Sequence, residues 1–257
     1  MRRLDIIPFD FSAEWEQLEL FPLNDLHIGD PKTDEALFKR FVRYVQDAPN
    51  RFLVGIGDLM NNGIKSSVSN TYNETMSPRD QRKWLAHELQ PIKDRILLFI
   101  DGNHEYRSKK EVDLSQTEEL ADSLGVRYLE DEAALKINFG RKTNGKPCSY
   151  SIYVTHGATG GKRPGAAVNN LELLALSLDG CDVVIVGHSH KRLGYRFRPR
   201  RFDPYNNRVT QVDRLCVVAS AWQDFGGYAA RKMYIPGAKG KTPIILDGRE
   251  KYACAVI

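Results

Sequence analysis

Most of the histidines in this chain occur in short clusters that also contain aspartate, asparagine or glycine. Five of the six histidines follow this pattern, and only His87 falls outside it. The clusters are Asp25-Leu26-His27, Gly57-Asp58, Gly102-Asn103-His104-Glu105, His156-Gly157 and Gly187-His188-Ser189-His190. Histidine is the commonest metal-binding side chain, and aspartate and asparagine supply oxygen ligands for the same ions. The combination predicts a hydrolytic site that holds two metal ions.

Segments that favour strands and helices alternate along the chain. The apolar runs of strand length are rich in β-branched and aromatic residues and are bounded by turn-forming residues. They cover residues 18–23, 52–56, 96–100, 135–139, 151–155, 183–186 and 216–219. Segments with helical periodicity lie at residues 34–47, 78–93, 117–124 and 168–178. This alternation predicts a layered α/β architecture with a sheet covered on both faces.

Each histidine cluster follows the carboxyl end of a predicted strand. Asp25 follows the run at 18–23, for example, and His188 follows the run at 183–186. In open α/β sheets, ligands bind in the crevice beyond the carboxyl ends of the strands. We therefore expect the clusters to meet at one site although they are far apart in the sequence.

The clusters also have an order that resembles a known family. The set Asp-x-His, Gly-Asp, Gly-Asn-His-Glu, His-Gly and Gly-His-x-His, from Asp25 to His190, is similar to the pattern of the calcineurin-like metallophosphoesterase superfamily. The resemblance implies a fold in which central β-sheets are sandwiched by helices (αββα), as a single domain over residues 1–257. The segment 205–257 is expected to complete the second sheet or to form a lid, and a simple surface loop is an alternative.

The resemblance implies a role for each residue of the clusters. Asp25, His27 and His190 would hold the first metal, and Asn103, His156 and His188 the second, while Asp58 would bridge both. His104 would remain free for catalysis, and Glu105 would orient its neighbours. Taken singly, each residue has an ordinary alternative: His27 as a surface or capping residue, Asp25 and Asn103 as turn formers, and His87 as a structural helix residue.

The chemistry that the resemblance implies is metal-dependent phosphoester hydrolysis. Carboxylate, amide and imidazole ligands without thiolate suit Mn²⁺, Fe²⁺, Zn²⁺ or Ni²⁺, of which we expect Mn²⁺. Two such ions, roughly 3.5–4 Å apart, lower the pKa of a bridging water so that hydroxide can attack the phosphorus. His104 is the candidate to donate a proton to the leaving oxygen or to stabilise charge on the phosphoryl group.

The residues after Asp58 favour one branch of the superfamily. Protein phosphatases of this superfamily follow their Gly-Asp with an Asp-Arg-Gly tripeptide, whereas this chain has Asn61 and Asn62 where that Asp and Arg would stand. Asn61 could then orient His104 only as a neutral partner, and the arginine that grips phosphate is missing. We expect a phosphodiesterase or nuclease that acts on nucleic acid or nucleotides. The alternatives are a phosphomonoesterase, with a small-molecule or protein substrate, and a non-catalytic metal-binding scaffold.

Basic residues near the clusters are candidates for substrate contacts. Lys162, Arg163 and Arg192 could bind substrate phosphate. The stretch at 194–201 alternates aromatic and basic residues and follows the last predicted ligand. It predicts either a groove for a polyanion or a β-hairpin with Arg196, Arg198 and Arg200 on its solvated face and Tyr195 and Phe197 facing inward.

The composition is that of a folded, water-soluble protein. The chain has 257 residues, of which 42% are hydrophobic and 27% charged, and its formal net charge is +4. No run approaches the roughly 18 apolar residues of a membrane span, and no apolar stretch of signal-peptide length follows the start. The four cysteines are far apart, so neither a thiolate zinc site nor a disulfide framework is suggested. We expect a cytoplasmic protein without membrane association, and the sequence carries no signal for its oligomeric state.

Overall fold

A computed structural model describes residues 4–67, 71–158, 161, 163–231 and 233–257 of the chain. Two six-stranded β-sheets pack face to face, and helices cover their outer faces. The strands are β1 (Ile6–Asp10), β2 (Gln17–Leu23), β3 (Arg51–Ile56), β4 (Ile96–Ile100), β5 (Tyr128–Leu129), β6 (Glu132–Phe139), β7 (Cys148–Thr155), β8 (Val183–Val186), β9 (Leu193–Phe197), β10 (Arg200–Asp203), β11 (Arg208–Gln211), β12 (Arg214–Val218), β13 (Ile244–Asp247) and β14 (Ala253–Ala255). The helices are α1 (Glu35–Gln46), α2 (Pro78–Leu89), α3 (Asn103–Val112), α4 (Gln116–Leu124), α5 (Pro164–Ser177) and α6 (Gly227–Arg231).

The two sheets have mixed topology. The first has the order β1-β6-β7-β8-β12-β9, and the second has the order β14-β13-β2-β3-β4-β5. Strands β2, β3 and β4 are parallel neighbours, and so are β7, β8 and β12. The carboxyl ends of these strands therefore lie at the same edge of their sheets. Strands β10 and β11 pair with each other and continue the register in which β9 pairs with β12, so these four strands form one long antiparallel hairpin.

The main core lies between the sheets. Leu20 and Val54 of the second sheet pack there with Ile137 and Ile185 of the first. A second cluster fills the space between the second sheet and helices α1, α2 and α4, and a third lies between the first sheet and α5. Central strands such as β3, β4 and β8 are thus buried on both faces, which explains why their sequences are continuously apolar. The predicted layered αββα architecture is confirmed.

The predicted strands lie where the sequence indicated, with shifts at their ends, and the helical segments differ more. The segment predicted as a helix over 78–93 forms α2 only to Leu89 and continues as a 3₁₀ helix, Gln90–Arg95. Pro91 explains the change, because proline has no backbone N–H for the α-helical ladder. Helix α5 begins at Pro164, four residues before the predicted segment. Helix α3 was not predicted at all.

The C-terminal segment supplies strands to both sheets. Strand β12 lies between β8 and β9 in the first sheet, and β13 with β14 forms the edge of the second. Between them, Trp222 is buried against Phe38 and Phe41 of α1. None of the helices described is long and apolar enough to cross a membrane.

Candidate metal centre

Five segments meet at one edge of the sheets. They are the loops that follow β2, β3, β7 and β8, and the start of α3 after β4. Backbone hydrogen bonds connect these loops: Asp25 N–H donates to Gly57 O, His27 N–H to Asp58 O and Gly187 N–H to His156 O, each at 3.1 Å. Residues with left-handed backbone are concentrated here. They are Asp25 (φ 48°), His27 (φ 49°), Asp58 (φ 52°), His188 (φ 63°) and His190 (φ 54°). Non-glycine residues rarely adopt this conformation, and when they do so together they usually mark a functional site.

The first group of converging side chains consists of Asp25, His27 and His190. Oδ1 of Asp25 lies 3.1 Å from Nε2 of His190 and 3.7 Å from Nε2 of His27. The two imidazole Nε2 atoms are 3.2 Å apart. All three side chains therefore turn one metal-binding atom toward a common point.

The second group consists of Asn103, His156 and His188. Oδ1 of Asn103 lies 2.7 Å from Nδ1 of His188 and 3.2 Å from Nε2 of His156. The two ring nitrogens are themselves 3.2 Å apart. The other ring nitrogen of His156, Nδ1, contacts the carbonyl oxygen of Ile56 at 2.8 Å and so fixes the ring orientation.

Asp58 lies between the two groups. Its Oδ2 is 3.3 Å from Nε2 of His156 and 3.9 Å from Nε2 of His27. Its Oδ1 accepts a hydrogen bond of 2.8 Å from the backbone N–H of His104, in the first turn of α3. One oxygen is thus held by the helix N-terminus, where a carboxylate is favoured, and the other faces both groups.

Glycine is required where the loops approach most closely. Gly57 has φ 86°, and a Cβ atom built there would lie 2.4 Å from the backbone nitrogen of Gly102. A Cβ at Gly102 would lie 2.3 Å from both the backbone nitrogen and Oδ1 of Asp58. The two glycines therefore allow the β3 and β4 loops to pack against each other.

The residues present fit a pair of divalent ions. Ligands 2.0–2.2 Å from one ion lie about 3.0–3.4 Å from each other, which is close to the spacings in both groups. Oδ1 of Asp25 is fully buried, and its nearest polar neighbours are the Nε2 atoms of His190 and His27. A buried carboxylate is costly unless a cation neutralises it, either a protonated imidazole or a metal ion. The set of oxygens and imidazole nitrogens, without thiolate, suits Mn²⁺, Fe²⁺, Zn²⁺ or Ni²⁺.

The charges within the site stabilise one another in the absence of ions. Burial opposes ionisation of Asp25 and Asp58, but the surrounding histidines outweigh burial and hold the pKa of each carboxyl well below its usual range. Burial likewise opposes protonation of His156, yet Asp58 raises its pKa to about 10. The pKa of His190 is raised in the same way by Asp25. The two carboxylates therefore favour positive charge on the neighbouring imidazoles, as they would favour a metal cation.

His104 contacts Asn61 through the main chain. Nδ1 of His104 lies 2.8 Å from the carbonyl oxygen of Asn61, whereas the Asn61 side chain donates to Glu74. Nε2 of His104 is 3.8 Å from Oδ2 of Asp58, so this nitrogen faces the two groups. Burial lowers the pKa of His104 to about 3 against the attraction of Asp58. Asn61 is next to His104, as the sequence predicted, but its backbone rather than its amide orients the ring.

Glu105 holds the loop that carries Asp58. Its side chain is fully buried and accepts backbone hydrogen bonds from Asp58 (2.8 Å), Met60 (3.1 Å) and Gly102 (3.1 Å). Asn62 is also fully buried, and its amide donates to the His104 carbonyl and the Ser108 hydroxyl. Both residues support α3 and the Asp58 loop from behind, and Asn62 does not face the site opening.

The predicted substrate contacts have mixed outcomes. Arg192 is half-buried and donates to the Ser220 hydroxyl and the Lys239 carbonyl, so it connects the site to the C-terminal segment. Arg163 is exposed at the start of α5. Lys162 lies outside the described residues.

The basic and aromatic stretch at 194–201 does not form a groove beside the site. Leu193 pairs with Val218 at the carboxyl end of β12, and Phe197 pairs with Arg214 at its other end, so β9 leads away from the metal-binding edge. The groove prediction is therefore wrong. The predicted hairpin is present, because β9 pairs with β12 and β10 with β11 in the same antiparallel register: Phe197 lies opposite Arg214, and Arg200 opposite Gln211.

The side chains of this stretch follow the hairpin alternative except at Arg196. Tyr195 and Phe197 pack on the cluster under α5, as the hairpin alternative expected. Arg196 is half-buried rather than solvated, because its guanidinium lies 4.7 Å from the Tyr252 ring centre and donates to the Ala253 carbonyl. Only the charges of Arg198 and Arg200 remain on an exposed surface.

Two polar residues at the site were missed by sequence reasoning. Asn24 is fully buried, and its amide donates to Asp25 and to the carbonyl of Ala219. Arg107, one helical turn after His104, lies beside Asn61. Asn24 directly precedes a predicted ligand, which was an available signal, whereas Arg107 could be found only by recognising helix α3.

Comparison with known proteins agrees with this geometry. A family model described as calcineurin-like phosphoesterase matches residues 23–192, which include every residue of both groups. The chain belongs to this family. It is a metal-dependent phosphoester hydrolase, and the family uses two divalent metal ions. No curated protein sequence matches the chain.

Several solved structures of low sequence identity are similar to this calcineurin-like phosphoesterase. YfkN, a calcineurin-like phosphoesterase from Bacillus subtilis, has 11% identity and a TM-score of 0.44, with 93% of this chain and 90% of that chain covered. Vps29 from Chaetomium thermophilum has 12% identity and a TM-score of 0.41, with 93% and 96% covered. The Pseudomonas putida nuclease MPE has 15% identity and a TM-score of 0.36, with 92% and 87% covered. The family assignment therefore depends on the family model rather than on these likenesses.

Proposed function

We propose that this metallophosphoesterase is a phosphodiesterase that acts on nucleic acid or nucleotides with two Mn²⁺ ions. The observation that carries the proposal is the convergence of seven side chains on two points that share Oδ2 of Asp58. In the proposed assignment, Asp25, His27 and His190 hold one ion, Asn103, His156 and His188 hold the other, and Asp58 contacts both. The chain acts as one domain in a cytoplasmic setting.

The bound ions would lower the pKa of a water between them and neutralise charge on the phosphoryl oxygens. The protein's own contribution is to fix the ligands before substrate arrives. Asp58 is held by the first turn of α3, and the ring of His156 by the Ile56 carbonyl. Fixed ligands make the site pre-organised for an in-line displacement, which reduces the reorganisation needed in the transition state.

His104 is proposed to donate a proton to the leaving oxygen. A carbonyl oxygen only accepts hydrogen bonds, so the contact with Asn61 requires the proton on Nδ1. The second proton must then sit on Nε2, which faces the site. Burial lowers the pKa of His104 and so opposes that proton, whereas an anionic phosphoryl group beside Nε2 would favour it. His104 therefore becomes an acid when substrate is bound.

Two features support a diester over a monoester. Asn62, which replaces the arginine of the protein phosphatases, is buried and faces α3, so it offers no cation to a dianionic monoester. The site is also open, because 41% of the His190 side chain and a large part of Asn103 are exposed. An open rim suits a substrate that continues on both sides of the reacting phosphate.

The test compares bis(p-nitrophenyl) phosphate with p-nitrophenyl phosphate as substrates, with added Mn²⁺ and with a chelator control. We expect the diester to be the better substrate and the chelator to abolish turnover. His104→Ala should leave the metals bound and lower turnover at least about 10²-fold, the usual scale of general acid catalysis. Exclusive use of the monoester would favour the phosphomonoesterase alternative, and unchanged turnover in the variant would remove His104 from the reaction.

A further inference from the structure

Arg107 is a cation beside the site to which the assignment above gives no role. It lies on α3 one turn after His104, and its Nη1 is 3.4 Å from the carbonyl oxygen of Asn61. The same oxygen contacts Nδ1 of His104 at 2.8 Å. The guanidinium and the His104 ring therefore share the Asn61 carbonyl oxygen as a neighbour, and the Arg107 side chain is only half-buried.

The charge of Arg107 is not neutralised by a direct partner. In the part of the chain that the structure describes, no carboxylate oxygen forms an ion pair with it, and its one hydrogen bond is the long contact with Asn61. A guanidinium has five N–H donors, so most of them remain available. Burial lowers the pKa of Arg107, and Asp58, Glu105 and Glu74 oppose this effect from a distance.

The nearby carboxylates are already engaged elsewhere. Asp58 accepts from the His104 backbone, Glu105 from three backbone N–H groups, and Glu74 from the side chains of Asn61 and Gln81. None of them can turn to Arg107 without leaving buried donors unpaired. A partly desolvated guanidinium without an acid partner is suited to an anionic ligand, because arginine binds phosphate oxygens bidentately.

We propose that Arg107 binds a phosphate oxygen of the substrate beside His104. This inference rests on the proposed function, since it names a further substrate contact of the same site. It also explains why one short helix carries the chemistry: Asn103 contacts the second group, His104 faces the shared oxygen, and Arg107 follows one turn later.

The experiment measures the binding of inorganic phosphate to the Mn²⁺-loaded protein by calorimetry, and its inhibition of bis(p-nitrophenyl) phosphate hydrolysis. The variants are Arg107→Met and Arg107→Lys, with Lys110→Met as the matched control because Lys110 is an exposed cation on the same helix. We expect phosphate binding to weaken about 10–100-fold in Arg107→Met, the range for a hydrogen bond to a charged group. Arg107→Lys should be intermediate, and the control should match the wild type.

Mn²⁺ affinity, measured separately, distinguishes binding of phosphate from support of the fold. Arg107→Met should bind Mn²⁺ as the wild type does. Unchanged phosphate binding in Arg107→Met would overturn the inference, and so would a loss of Mn²⁺ affinity that accounts for the weaker phosphate binding. If the wild type hydrolyses neither chromogenic substrate, the proposed function fails, while the calorimetric measurement with phosphate still tests Arg107.

Discussion

Glu105 allows the sharpest test of how the protein supports its metal ligands. It touches neither group of ligands, yet its two carboxylate oxygens accept all three backbone N–H groups of Asp58, Met60 and Gly102. Replacing it by glutamine keeps the size and removes one acceptor oxygen. In the Glu105→Gln variant the amide NH₂ must oppose at least one of those three donors, which leaves a buried N–H unpaired.

We expect Glu105→Gln to perturb the site more when Mn²⁺ is bound than when it is absent. Burial, followed by the charges of Asp58 and Asp101, raises the pKa of Glu105 to about 8 in the metal-free site. Near pH 7 the carboxyl is then largely protonated there, and glutamine resembles it. Two cations would favour the ionised form, which glutamine cannot reproduce. Loss of a group that supports metal ligands typically weakens metal binding about 10–100-fold, and we expect this range for Mn²⁺.

The pH dependence of the free energy of unfolding, measured without metal, provides a second test of the role of Glu105. Because the pKa of Glu105 in the folded state lies above its ordinary value of 4.5, the unfolded carboxyl ionises first as the pH rises. This group therefore lowers the free energy of unfolding progressively between about pH 4.5 and 8. Glu105→Gln removes that contribution, so its destabilisation relative to wild type should diminish as the pH rises across this window.

The assays are urea denaturation with chelator at several pH values and calorimetric titration with Mn²⁺ at pH 7. Glu119→Gln is the matched control, because Glu119 is exposed on α4 and its ion pair with Arg82 spans 3.5 Å at the surface. Surface pairs of this kind contribute about 0–1 kcal/mol, and the control should keep its Mn²⁺ affinity. Equal Mn²⁺ affinity in Glu105→Gln and wild type would refute the supporting role of Glu105.

Two further predictions concern the ligands themselves. Asp58→Asn should bind fewer than two Mn²⁺ ions under conditions that saturate the wild type, because it withdraws the one carboxylate that faces both groups. Metal analysis after gel filtration measures the number of bound ions. Two tightly held ions in the variant would contradict the bridging role. Mn²⁺ binding near pH 7.5 should release at least one proton, since the pKa of His156 is about 10 and that of His190 is also raised, whereas ligands must be neutral imidazoles. Titration in buffers of different ionisation enthalpy measures the release, and Mn²⁺ affinity should rise with pH. Binding without proton release would contradict the raised pKa values of the two histidines.

The sequence predicted the strands and the convergence of the histidine clusters because both depend on short-range patterns. The runs that became β3, β4 and β8 are continuously apolar, since each strand is covered on both faces. The clusters directly follow such strands, so parallel pairing brings Asp58 and Asn103 to one edge of the second sheet, and the packing of the two sheets brings His188 of the first sheet beside them. The roles of these residues as ligands stay predictions until metal binding is measured.

Helix α3 could not be found from periodicity. Its sequence, NHEYRSKKEV, has almost no apolar residues, and its buried face consists of polar groups such as Glu105 and Ser108. Only Glu105, three residues after Gly102, indicated a helix start, because an acid at this place can accept from the first free N–H groups. Missing α3 also meant missing Arg107, whose position depends on the helical turn.

The groove predicted for the stretch at 194–201 was wrong for a different reason, whereas the hairpin alternative was correct. Alternation of aromatic and basic residues correctly indicates a strand, but it does not say which strand is the partner. Pairing of β9 with β12 connects Leu193 to Val218 and sends the following arginines to the far end of the sheet. Proximity in sequence to His190 therefore said nothing about proximity to the site.

The arrangement around α3 explains why chemistry and support are difficult to separate in this protein. The first turn of the helix fixes Oδ1 of Asp58, and Glu105 in the same turn fixes the backbone of Asp58 and Gly102. Any tilt of α3 would thus move His104 and the shared oxygen together. Substitutions that leave the helix in place, such as His104→Ala, should separate catalysis from metal binding, whereas Glu105→Gln should affect both. If Glu105→Gln lowered turnover at saturating Mn²⁺ no more than Glu119→Gln does, the coupling through α3 would be absent.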